Sequence, residues 1–293
     1  MTDGRTPALF LPARQAGAGG DPVHVTPKDA GWSFAGLRVL RLQPGESRTF
    51  ATGDDEVLVL PLAGSARVEC EGRRFDLVGR SSVFVRVSDF AYVPREAFVT
   101  VWSAAGGEIA LPSARARRRL APAYGPAETV PVEVRGAGSA TRQVTSYCTP
   151  ESFPADRLMV LEVLTPAGNW STHPPHKHDE DREGEAILEE IYYFRVAGTN
   201  GFAFHRTYTT DGEIDATVTV RDGDVLLVPR GYHGPSAAGP DHDVFSLNVL
   251  AGPGETRTMA FRDDPDHHGV REAWRGRAPD PRVPLTSARG AHR

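Results

Sequence analysis

Cysteine is scarce in this chain: Cys70 and Cys148 are the only two in 293 residues. That is too few for a disulfide framework, so the fold must rest on its core. Basic charge is also lacking. The 33 Lys and Arg stand against 38 Asp and Glu, a net charge of −5. No basic surface is implied, which argues against a nucleic-acid partner. No apolar run approaches the ~20 residues of a membrane-spanning helix. Residues 1–20 lack the basic-then-apolar pattern of a secretory signal. These absences predict a cytoplasmic protein with no membrane partner.

What is present is a dense histidine segment. Six of the ten histidines lie between His173 and His242. His176 and His178 stand two apart, so on an extended strand both imidazoles face the same side. Glu190 opens the strand-favouring run Ile191 to Phe194. His233 follows the apolar strand Val225 to Val228 and a Pro-x-Gly turn. Three imidazoles and a carboxylate suit a divalent transition ion. An ion accepting five or six ligands keeps room for a substrate. Lys177, between the paired histidines, is turned away by the same alternation.

These words resemble the two motifs of a cupin barrel. The second motif is matched from Gly223 through Pro229 and Gly231, with one residue fewer before His233, and Asn248 is too distant for it. The first departs from the pattern: Gly168 lies too far from His176. An acidic insertion, Asp179 to Glu189, separates His178 from Glu190 and reads as a surface loop. The chain more specifically resembles the 5-deoxy-glucuronate isomerase family of inositol catabolism, related to the 4-deoxy-L-threo-5-hexosulose-uronate isomerases. The resembling words are Pro-Pro-His-Lys-His-Asp (174–179), Leu-Glu-Glu-Ile-Tyr-Tyr (188–193) and Val-Pro-Arg-Gly-Tyr-His (228–233). Leu-Asn-Val-Leu-Ala-Gly-Pro (247–253) and Asp-Pro-Asp-His (264–267) add to them.

The resemblance implies an all-β bicupin of two jelly-roll barrels. Residues 1–125 form an N-terminal barrel and 126–293 a metal-binding barrel with a C-terminal tail. At 293 residues either one large or two ordinary cores can be buried. Short strands between Trp32 and Trp102, punctuated by Gly and Pro, fit a β-barrel. No histidine lies between His24 and His173. Glu56 stands where a cupin glutamate might, without imidazole partners, so residues 25–112 read as a metal-free copy. Residues 1–22 read as part strand, part tail. The basic run at 114–119 reads as a solvated linker. In the second half, Ile191 to Val196 with Phe202 to Thr209, and Thr217 to Val220 with Val225 to Val228, are predicted hairpins.

The family converts the aldose acid 5-deoxy-D-glucuronate to the ketose acid 2-deoxy-5-keto-D-gluconate through an enediolate. That implies His176, His178, Glu190 and His233 as metal ligands, with Glu190 preferred to Glu189. One divalent ion per chain is expected, zinc first, with manganese or iron as alternatives. The small-molecule uronate substrate needs a bidentate arginine partner. Arg206 is the first candidate and Arg230 the second. Tyr192, Tyr208 and Tyr232 are candidates to hydrogen-bond the sugar, and Asp179 or His173 to move the proton. His205 is a weaker ligand candidate. An Fe(II) dioxygenase and a non-catalytic sugar-acid-binding protein are the alternative functions. Association into a homo-oligomer through sheet edges is compatible with paired barrels.

Overall fold

The computed structural model describes residues 9–17 and 20–291. Most of the expected N-terminal tail, residues 1–8, lies outside that range.

The first half closes around one long strand. Asp55–Cys70 runs for 16 residues. Near its start it pairs with Phe90–Val93 and Gly107–Arg115, and near its end with Arg73–Arg80 and Phe98–Trp102. Register shifts at Pro61/Ala63 and Gly64/Ala66 bend it between these partners, as bulges do. Gly64 sits at the bend with φ +91°, and a Cβ there would meet the Gly106 carbonyl oxygen at 2.5 Å; the close approach needs glycine. The curled sheet wraps a core that includes Leu40, Val59, Val68, Val99 and Ile109.

The second half is a sandwich. One sheet orders Phe10–Leu11, Val225–Val228, Glu189–Val196, Val244–Ala251, Met159–Thr165, Arg142–Cys148 and Val132–Arg135. The other orders Asp215–Val220, Ala203–Tyr208, Tyr232–Ala238, His176–Lys177 and Arg262–Asp263. The two predicted hairpins do not form. Glu189–Val196 pairs with Val225–Val228 and Val244–Ala251, while Ala203–Tyr208 pairs with Asp215–Val220 and Tyr232–Ala238. The turns at 198–201 and 221–224 therefore carry the chain from one sheet to the other, as a jelly roll requires. Phe10–Leu11 adds to the second-half sheet rather than the first.

Alternation along Glu189–Val196 divides the two cores. Ile191 and Tyr193 face the core shared by both halves, with Leu58, Tyr92, Val160 and Phe245. Tyr192 and Phe194 face the interior of the second barrel, with Val220 and Leu226.

Carboxylates lock the halves together in matching fashion. Glu56 accepts hydrogen bonds from the backbone N–H groups of Asp156, Arg157 and Leu158 at 2.6–2.8 Å, and from the Tyr92 hydroxyl. Glu189 accepts from the N–H groups of Ser33, Phe34 and Ala35 at 2.7–2.8 Å. Each carboxylate thus holds the backbone at the start of a strand of the other half, Met159–Thr165 for Glu56 and Ala35–Leu42 for Glu189. Glu56 and Glu189 thus play the same part, each spent on backbone N–H groups of the other half.

Candidate metal centre

The second barrel brings His176, His178, Glu190 and His233 together. His176 lies directly opposite His233 across an antiparallel pair, and His178 follows on the same face. The histidine ring nitrogens available as ligands all lie within 4.8 Å of one another. Glu190, 3% exposed, points one carboxylate oxygen, Oε2, at the Nε2 atoms of both His178 and His233, each at 3.0 Å. That spacing matches neighbouring ligands at right angles on an ion with bonds of ~2.1 Å.

The donor set fits a cation. His233 is fully buried, yet its Nε2 has no hydrogen-bond partner; its contact with Glu190 is short but badly directed. A buried imidazole nitrogen in that state is costly unless something else occupies the point it faces. His178 Nδ1 lies 2.9 Å from the Leu188 carbonyl oxygen. A carbonyl can only accept, so Nδ1 carries the proton and, in the neutral ring, Nε2 presents its lone pair inward. Burial disfavours a charge on His176, and the neighbouring His233 and His178 add to this, so its pKa falls well below 6.5. Burial opposes ionisation of Glu190 as well, but the close approach of the His178 and His233 imidazoles outweighs it and holds the carboxyl well below its usual range.

Asn248 completes the support. Its Nδ2 donates to Glu190 Oε1 at 2.7 Å, and its Oδ1 accepts from Ser246 at 2.8 Å. Sequence spacing set Asn248 aside as too distant for the motif. The antiparallel strand Val244–Ala251 instead delivers it opposite Tyr192, the residue two beyond Glu190.

The other expected residues are placed as follows. Tyr192 lines the same cavity as His176, His178 and Glu190. Burial, then the Glu190 carboxylate, keep its phenol protonated, well above the usual range. Arg206 and Tyr208 lie on the outward face of their strand, so neither reaches the cluster. Arg206 is half exposed and bound to Asp215 at 3.0 Å, while the Tyr208 hydroxyl donates to Asp264. Tyr232 stacks on Tyr208, ring centroids 5.6 Å apart. Arg230 pairs on the surface with Asp211 and Glu213. His205 faces inward, fully buried, with Nδ1 2.6 Å from Ser236 Oγ and burial pushing its pKa down to about 3; it stands beyond Tyr192 rather than in the histidine group. His173 lies near the cavity mouth, 5.8 Å from the His267 ring.

Lys177 turns away from the histidines and binds Asp179, Glu180 and Glu185. Three carboxylates of the acidic insertion are therefore paired locally, and only part of it is surface: Glu185 is buried, 181–184 exposed. Asp179 is tied to Lys177 and to the Gly231 N–H, which removes it from the reacting centre. A larger cavity near Arg157, Arg257 and Glu255 contains no histidine. Sequence reasoning also missed three arginines, Arg135, Arg142 and Arg271, which line the cavity of the histidine cluster.

The model of the KduI/IolB family matches residues 10–270. A 5-deoxy-glucuronate isomerase of Geobacillus kaustophilus is 40% identical over 268 residues, covering 90% of this chain and 96% of that protein. The 5-deoxy-glucuronate isomerase of Bacillus subtilis strain 168 is 36% identical, covering 85% and 93%. Among solved structures, an IolB-like protein from Salmonella typhimurium LT2 superposes with a TM-score of 0.84 at 34% identity, covering 90% of this chain and 99% of that one. Oxalate decarboxylase from Lactobacillus farciminis gives a TM-score of 0.62 at 15% identity, covering 87% and 89%, a likeness of fold alone. Among the described residues no helix is long and apolar enough to cross a membrane.

Proposed function

The chain belongs to the KduI/IolB family, and from that premise we propose that it is an aldose–ketose isomerase of myo-inositol catabolism. It converts 5-deoxy-D-glucuronate to 2-deoxy-5-keto-D-gluconate. The observation that carries this reading is the meeting of His176, His178, Glu190 and His233 in one buried cluster, with His176, His178 and Glu190 lining a cavity. The chain around it resembles named 5-deoxy-glucuronate isomerases over most of its length.

The reaction moves a proton from the carbon beside the aldehyde to the aldehyde carbon, through an enediolate. His176, His178, His233 and Glu190 would hold one divalent ion, zinc by preference, with manganese or iron able to use the same donors. Bound there, such an ion would supply Lewis-acid stabilisation of the oxygen on which negative charge develops. The Leu188 carbonyl and Asn248 fix His178 and Glu190 in orientation. Tyr192, kept protonated by its surroundings, donates a hydrogen bond to a sugar oxygen. Leu250, Met259 and Phe261 line the cavity and reduce the water around the reacting carbons.

The test is turnover of 5-deoxy-D-glucuronate by metal-loaded protein, with oxygen uptake followed in parallel. Formation of the ketose acid without oxygen consumption supports the isomerase. Oxygen consumption coupled to substrate loss would replace it with a dioxygenase. Saturable binding without conversion would leave a sugar-acid-binding protein.

A further inference from the structure

The lining of the cavity carries more positive charge, from Arg135, Arg142 and Arg271, than its carboxylate Glu190 neutralises. Arg135 and Arg142 stand directly opposite each other on the antiparallel pair Val132–Arg135 and Arg142–Cys148, an arrangement of like charges that is unfavourable by itself. Arg271 joins them from the short helix Val270–Ala273, and all three line one cavity with His176, His178 and Glu190. Two of the three have counter-ions: Arg135 binds Glu133 at 2.9 Å, and Arg271 binds Asp263 at 2.5 and 2.8 Å.

Among the described residues Arg142 has none. It is only 8% exposed, and its one hydrogen bond to them runs from Nη1 to the Ala140 carbonyl at 3.2 Å. Its guanidinium sits over the Trp274 ring, 5.6 Å from the centroid, which holds the plane but leaves most of its five donors free. Burial, then repulsion from Arg271 and Arg135, push its pKa down to about 10, so it remains a cation at neutral pH. A buried cation without a partner anion is costly, and a planar carboxylate matches its free donors in pairs.

We propose that Arg142, flanked by Arg135 and Arg271, is the subsite that binds the carboxylate of a sugar acid whose carbonyl end faces the histidine cluster. The proposal rests on the function proposed above for the identity of the acid, whereas the anion site stands on the arginines. It assigns to Arg142 the specificity role that the sequence assigned to Arg206.

The test compares acid with neutral sugar. Steady-state kinetics are measured on wild type, Arg142→Gln and Arg142→Lys with 5-deoxy-D-glucuronate and with the 5-deoxyhexose in which CH₂OH replaces the carboxylate. Equilibrium binding of D-glucuronate and D-glucose is measured on the same proteins by calorimetry. Losing a charge-assisted pair raises KM for the acid roughly 10- to 100-fold in Arg142→Gln and leaves KM for the neutral sugar within about twofold. Arg142→Lys falls between, because it keeps the charge and loses the fork. Equal changes for both sugars overturn the subsite, as does a wild type that binds D-glucuronate no better than D-glucose.

Should Arg142→Gln lose its fold or its metal, Arg271→Gln serves, with a rise for the acid alone of about 3- to 10-fold. No selective rise there overturns the proposal. The two levels separate cleanly. Turnover of the acid with an acid preference that survives Arg142→Gln removes the subsite and keeps the isomerase. Acid-selective binding that Arg142→Gln abolishes, in a protein without isomerase turnover, does the reverse.

Discussion

Replacing Asn248 by alanine should weaken metal binding while leaving every proposed ligand in place. Glu190 is buried, and its two oxygens have separate tasks: Oε2 faces the histidines and Oε1 rests on Asn248 Nδ2 at 2.7 Å. Asn248 is held in turn by Ser246. Removing the amide leaves a buried carboxylate oxygen without that donor, a cost of about 1–3 kcal/mol. It also frees Glu190 to rotate away from the histidines. Loss of an outer partner of this kind typically lowers metal affinity about 10- to 100-fold, or roughly 1.4–2.7 kcal/mol, and the two figures agree. The assay is competition for the metal against a chelator of known affinity, with the melting temperature of the metal-free protein as a control for folding. Ser246→Ala, which touches Glu190 only through Asn248, should lose about threefold or less. An affinity of Asn248→Ala within twofold of wild type would refute the reasoning, since Glu190 would then need no external orientation.

Four further outcomes are expected. His176→Ala and His178→Ala should each lose metal and activity together; normal metal content by elemental analysis in both would dismiss the ligand set. Metal binding should strengthen as pH rises through 6.5 and above it. Burial disfavours a charged His178, but its hydrogen bond to Glu190 outweighs this and raises its pKa above 6.5, and a bound ion must displace that proton. In metal-free protein the sign is opposite: the His178 contribution to stability is full below pH 6.5 and is lost as pH rises through the raised value, while the Glu190 contribution, present above pH 4.5, is lost as pH falls through its depressed value. The metal-induced rise in melting temperature should therefore grow with pH, and a flat profile would contradict the pairing. Arg206→Ala should leave KM for acid and neutral sugars unchanged, because its partner is the exposed Asp215. Glu56→Ala strips acceptors from three backbone N–H groups and Tyr92; it should destabilise the protein by at least about 3 kcal/mol in urea unfolding, with wild-type stability counting against an interdomain lock.

The all-β barrels and the histidine group were legible because both follow short-range rules. Gly and Pro mark the strand ends, and the period of two puts His176 and His178 on one side while turning Lys177 to its acidic partners. Strand pairing was not legible. A turn such as 198–201 looks like a hairpin locally, yet here it crosses between sheets, and only the packing of both sheets decides. Alternation along Ala203–Tyr208 puts Phe204, Arg206 and Tyr208 on one face and His205 and Thr207 on the other, but does not say which face is inside; the structure turns the histidine inward and the arginine out. Asn248 and Arg142 reach the cavity from strands distant in sequence, through register with Tyr192 and Arg135. An arginine directly before the buried strand residues Gln143 and Val144 was the one available hint. Glu56 was misleading for a similar reason: its partners are backbone groups a hundred residues away.

The most direct test of the account is proton NMR of the purified protein with 5-deoxy-D-glucuronate in D₂O, before and after chelation and again after metal is restored. The account predicts conversion to the ketose acid, deuterium in the product from solvent exchange at the enediolate, loss of conversion with chelator and recovery with metal. Conversion that persists at full rate in protein shown to be metal-free, or no conversion by metal-loaded protein, would contradict it.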